Sequence, residues 1–134
     1  MAANKLVRFG PVALTTTTTT NILNPGTTTG GTGMPSTSTN TYFVLRHIRI
    51  ENKTALSAQA ATWIGATGAN AAGTEGPFGG VASAGSLTRG VVVAAQSQVD
   101  WYGILTLDVA DFLVGGADTA TALTFMAEGE IGIR

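Results

Sequence analysis

The chain has 134 residues, no cysteine, one histidine (His47) and a formal net charge of −1. That length suits one domain with one core, and the lack of cysteine excludes disulfides and thiolate metal sites. The seven basic residues form no run, so a basic surface for nucleic acid is not expected. No apolar stretch approaches the ~20 residues of a membrane-spanning helix.

Charged side chains make up 11% of the chain, against roughly 25% in an average domain. Thr, Ser, Asn, Gly and Ala must therefore cover the surface. Such a surface resists association poorly, which points to burial against copies of the chain or a larger assembly. The N-terminal sequence MAANKLVRFGPVAL lacks the apolar core of a secretory leader. The expected place of synthesis is a cytoplasm.

Leu6–Phe9 reads as a first strand, broken by Gly10-Pro11. Val12–Leu14 and the six threonines 15–20 read as more strand, because Thr is β-branched and favours extended backbone. Ile22 and Leu23 add apolar anchors, and Asn24-Pro25-Gly26 signals a turn. Residues 26–40 have no apolar periodicity and read as a long Gly/Thr-rich loop.

Residues 41–52 form the best central strand. Tyr42, Val44, Ile48 and Ile50 share one parity, with Phe43 and Leu45 on the other, so the first half is expected to be covered on both faces. Asn52-Lys53 turns the chain, and residues 60–64 return with Trp63 as a core candidate. Residues 65–90 hold eight glycines and read as a second long loop.

Val91–Val93 and residues 99–107 read as strands, followed by a bend at Asp108–Asp111. Phe112–Val114 is a brief strand that Gly115-Gly116-Ala117-Asp118 turns back. Residues 123–134 alternate apolar and polar with period two, a long half-buried strand with a bend or bulge expected at Gly129 or Gly132. No segment shows a helical period. The pattern predicts an all-β antiparallel sandwich or barrel in a single domain, 1–134.

Catalytic chemistry is sparse. His47 lies in RHIRI beside Arg46 and Arg49, the local sequence suggests no carboxylate orienter and nucleophile for it, and it reads as a structural or interface histidine. Asp100, Asp108, Asp111 and Asp118 are too widely spaced for a calcium loop, though Asp108 and Asp111 suit one tight turn. Glu128 and Glu130 share a strand face, with Arg134 at the same parity. The glycine-rich stretches match no phosphate-binding loop. Neither an enzyme, a metal site nor a cofactor is expected. Trp63, Trp101 and Tyr102 are the candidates for a stacking platform, should one of them lie at an exposed edge.

The succession GPVALTTTTTTNIL, YFVLRHIRIENKTA, TWIGATGANAAG and VDWYGILTLDVADFLVGGADTATALTFMAEGEI resembles small structural proteins of tailed bacteriophages. The similarity covers most of the chain outside its two long loops. It implies a jelly-roll-like β-sandwich with an N-terminal arm (about 1–10), in the virion on the capsid surface. The implied role is a capsid decoration or cement protein, with the major capsid protein as partner and self-association as a homotrimer. A neck, collar or tail component, or a glycan- or receptor-binding module, is the alternative. The family carries no catalytic residues to transfer. In that setting the expected contacts are the anchoring side chains of small-residue segments. They are Lys5, Arg8 and Phe9 in the arm, Met34 and Pro35 in the first loop, and Phe78 and Arg89 in the second.

Overall fold

A computed structural model describes residues 4–18, 21–25, 41–65, 74–79, 87 and 90–133. Among the described residues nine strands follow in chain order: β1 (Lys5–Ala13), β2 (Asn21–Leu23), β3 (Thr41–Asn52), β4 (Ala58–Gly65), β5 (Thr74–Glu75), β6 (Val91–Val93), β7 (Ser97–Leu107), β8 (Phe112–Ala117) and β9 (Leu123–Ile133). No helix occurs among the described residues. A four-stranded sheet runs β1-β9-β3-β7, and a five-stranded one runs β2-β8-β4-β5 with β6 also paired to β4. Every pairing is antiparallel. The expected all-β sandwich architecture is present.

The core lies on the inner faces of the sheets. Phe43, Leu45, Ile48 and Ile50 from β3 meet Phe125 and Ala127 from β9, Leu107 from β7, and Leu23, Leu113 and Ala60 from the second sheet. All are essentially inaccessible to water. Burying a side chain of this size contributes about 1.5–3 kcal/mol.

β3 explains its own mixed pattern. Phe43 and Leu45 point inward at odd positions, and Ile48 and Ile50 point inward at even ones. The switch is a register shift between Leu45 and His47. On β9, Ala127 opposes Ile48 and Gly129 opposes Leu45, so two steps of β9 match three of β3. On β7, Trp101 opposes Ile48 and Leu105 opposes Leu45, so four steps of β7 match the same three. The sheet fans open from β9 to β7. The two sequence parities belong to one inner face joined by a bulge, and the first half of β3 is not buried on both faces.

Gly129 sits at the narrow end of this fan. A Cβ there would lie 2.0 Å from the Val44 carbonyl oxygen and 2.9 Å from Leu45 Cα. Both are main-chain atoms and cannot swing aside. At Gly132 a Cβ would instead meet the Tyr42 ring, a side chain near the sheet end.

Three local signals do not hold in the fold. Gly10-Pro11 does not end the first strand: β1 runs through it, with a register shift between Phe9 and Val12. Gly10 takes a φ of 93°, a region that favours glycine. The threonines described at 15–18 are not strand. Gly115, Gly116 and Ala117 do not turn the chain but continue β8 against β4, where a Cβ on Gly115 would sit 2.2 Å from the Ala61 carbonyl. The turn comes after them, at residues 118–122.

The β3–β4 turn is fastened by Asn52, which is 1% exposed. Its amide nitrogen donates to the Leu56 and Val93 carbonyls at 2.9 and 3.1 Å. Its oxygen accepts from the Thr54 N–H and hydroxyl at 2.9 and 2.8 Å. A buried amide with its hydrogen bonds made stabilises, whereas its unpaired partners would be costly.

Gly129→Ala should therefore destabilise the protein by about 2–3 kcal/mol, the upper range for overpacking. Gly132→Ala should cost at most about 1 kcal/mol, because the Tyr42 ring can rotate away. Urea unfolding of the two variants measures the difference; equal losses would place no backbone crowding at Gly129.

Candidate functional site: the outer face of the first sheet

The register shift also shapes the opposite face. Leu45 and Ile48 both point inward, so Arg46 and His47 between them both stay on the outside, where regular alternation would hold one residue. Around them lie Arg8 of β1, Glu128 and Glu130 of β9, Arg49 of β3, and Asp100 and Tyr102 of β7.

Arg46, His47 and Arg49 meet carboxylates of the neighbouring strands. Arg46 Nε donates to Glu130 Oε2 at 2.8 Å, and its Nη2 lies 2.7 Å from the same oxygen. Asp100 Oδ1 accepts from Arg49 Nε at 2.8 Å and lies 2.6 Å from His47 Nε2. His47 Nδ1 is 3.9 Å from Glu128 Oε2. The His47 ring stacks on Tyr102, with centroids 4.6 Å apart and planes 9° from parallel. The Arg49 hydrogen bond, then that of His47, holds the Asp100 carboxyl below the ordinary carboxylate range. The same Asp100 contact raises Arg49 further above its ordinary value.

Apolar side chains flank the charges. Leu6, Tyr102 and Ile104 are 84%, 72% and 70% exposed, and all lie on or at the rim of this face. The other exposed large apolar residues described, Leu56, Val92 and Val109, lie apart from it in turns and on β6. A groove of about 400 Å³ crosses the face, lined by Leu6, Val7, Arg8, Arg46, His47, Glu128 and Gly129. The arrangement offers a shallow apolar channel beside the Arg46–Glu130 and His47–Asp100 pairs. It suits the docking of another surface.

Of the expected contact residues, Lys5 and Arg8 are exposed on β1, with Arg8 at the groove. From Lys5 onward the expected arm is an edge strand paired to β9. Phe9 is a core residue: it is fully buried, with its ring 4.7 Å from that of Phe43. Inward parity at Phe9, opposite Ala127, is the reason. Phe78 is also in the core, 8% exposed, in a turn tied to β4 by hydrogen bonds between Thr62 and both Gly76 and Gly79. Met34, Pro35 and Arg89 lie outside the described residues.

Among the aromatic candidates, Trp63 is 1% exposed and Trp101 packs against the core, which leaves Tyr102 as the exposed ring. The aspartates serve turns. Asp111 accepts from the Asp108 N–H at 2.8 Å, and Asp118 accepts from the Gln59 N–H at 3.0 Å. The carboxylate that reaches His47 is 53 residues away in sequence. Only the β3–β7 register brings it there, and no local motif marks it.

No family model matches the chain, and no curated protein or solved structure is similar to it in the comparisons made.

Because the fold lowers the Asp100 carboxyl, the unfolded chain binds that proton first as pH falls. The stability this network contributes is complete above about pH 4 and is lost as pH drops through the lowered value. Asp100→Asn should lower Tm by a few degrees at pH 7 and flatten the decline below about pH 4. Thermal melts from pH 7 to pH 2 check this; identical acid limbs in the two proteins would contradict it.

Proposed function

We propose that this chain is a non-enzymatic structural protein of a tailed-bacteriophage virion. In this reading it is a jelly-roll capsid decoration protein that binds the major capsid protein lattice and stabilises it. The jelly-roll assignment is supported by the nested pairing. β1 pairs with β9, β2 with β8, β3 with β7, and β4 with β6 and β5, as in an antiparallel ribbon rolled over on itself.

The observation that carries the docking role is the outer face of the first sheet. It concentrates exposed Leu6, Tyr102 and Ile104 around charges already paired with each other. Covering such a face removes apolar surface from water, and each paired charge keeps its partner, which limits the desolvation penalty. A protein that binds only the closed shell shifts the equilibrium towards it by mass action. Many equivalent lattice sites make a modest contact at each sufficient for the particle. His47, Asp100 and Glu128 are read here as cross-strand struts, with no reaction step assigned to them.

A second reading, a glycan-binding module of the virion, rests on Tyr102, whose ring backs onto His47 and is 72% exposed.

Quantitative mass spectrometry of purified particles, against the major capsid protein, tests the primary reading. Hundreds of copies per virion are expected. A dozen or fewer would move the protein to the neck or tail, and absence from particles would overturn the virion assignment.

A further inference from the structure

The first sheet has two edges, and they are built differently. β1 carries Lys5 and Arg8, the bulge at Gly10 and Pro11, and Pro11 has no N–H to donate. These are the devices that keep an edge from accepting another strand. β7 has no Pro, Lys or Arg in its 11 residues, and its one irregularity, the extra residue between Tyr102 and Leu105, lies beyond its first half. Its run Ser97–Tyr102 keeps unbroken register with Asn52–His47 of β3, and no other described strand pairs with it.

We propose that β7 is the site where a second copy of this chain docks, strand to strand and antiparallel across a twofold axis. The two four-stranded sheets then join into one of eight strands. This goes beyond the capsid reading and does not depend on it.

Charge favours a copy as the occupant. Asp100 is the one ionised side chain of β7, and it is already held by Arg49 and His47 within its own protomer. Two such edges can meet without an uncompensated like charge at the seam. A twofold contact presents the same residues from both sides, so Tyr102 and Ile104 of each protomer flank the seam and extend one apolar strip. Size also fits. Antiparallel strands form roughly one hydrogen bond per residue, so the regular run Ser97–Tyr102 alone supplies about six, within the range of a typical protein–protein interface. Edge pairing of this kind closes on two copies, whereas the phage resemblance implies three.

Sedimentation equilibrium of the full chain over a concentration series tests the proposal. The expected mass is twice the 13.6 kDa of one chain. Ile104→Lys with Thr106→Lys should return it to monomer, with circular dichroism and Tm unchanged. Leu6→Lys and Leu56→Lys, away from β7, should leave the dimer intact. The chain has no cysteine, so single Cys variants at Gln98, Ile104 and Thr106 give a clean register test. The position nearest the twofold axis should oxidise to a covalent dimer. Monomer at every concentration, a trimer, or a dimer lost on Leu6→Lys but kept with both β7 lysines would overturn the pairing. These masses are read on the isolated protein. A monomer therefore leaves the capsid reading standing, and absence from particles leaves the edge pairing standing.

Discussion

Between Leu45 and Ile48 three adjacent strands of the first sheet use unequal lengths of chain to cover the same ground. β9 takes two steps, β3 three and β7 four. A twisted sheet tolerates this only where one strand carries an unpaired residue and the backbone approaches closely opposite it. Against β9 that residue is Arg46, and Gly129 supplies the close approach; against β7 the extra residue lies in β7 itself, between Tyr102 and Leu105. The step keeps Phe43, Leu45, Ile48 and Ile50 all in the core, which a single parity of β3 would not. It also places Arg46 and His47 together on the outside. The groove, the Arg46–Glu130 pair and the Asp100 network follow from it.

Long alternating strands were readable because their period is written in consecutive side chains. β3 matches its expected span of 41–52, and β9 alternates buried and more exposed positions from Leu123 to Ile131. Short signals failed where a neighbouring strand decided the outcome. Gly10-Pro11 and Gly115-Gly116 look like turns in isolation. Within the sheets they are a bulge beside β9 and a close contact against β4. Phe9 and Phe78 looked like anchors because small residues surround them in sequence. Strand parity instead carries Phe9 inward opposite Ala127, and the turn tied to Thr62 carries Phe78 inward. The site was not readable for a different reason. His47, Arg49 and Asp100 meet through strand register, and register depends on the whole sheet.

The two edges and two faces of the first sheet carry distinct roles in this account. The inner face holds the fold together. The outer face, with its charges paired internally and its apolar groups exposed, is the proposed contact with the capsid. β1 is blunted by Lys5, Arg8 and Pro11, while β7 is left open. A low-charge chain can divide its surface this way because few side chains need solvent, and 7 basic and 8 acidic groups suffice when several of them pair across strands.

The outer-face contact is tested most directly by hydroxyl-radical footprinting of the protein free in solution and bound on purified particles. The account predicts that Leu6 and Met126, on the outer face away from β7, lose reactivity on the particle. Leu56 and Val92, outside that face, should stay as reactive as in the free protein. Protection of Leu56 and Val92 with Leu6 and Met126 unchanged would contradict it.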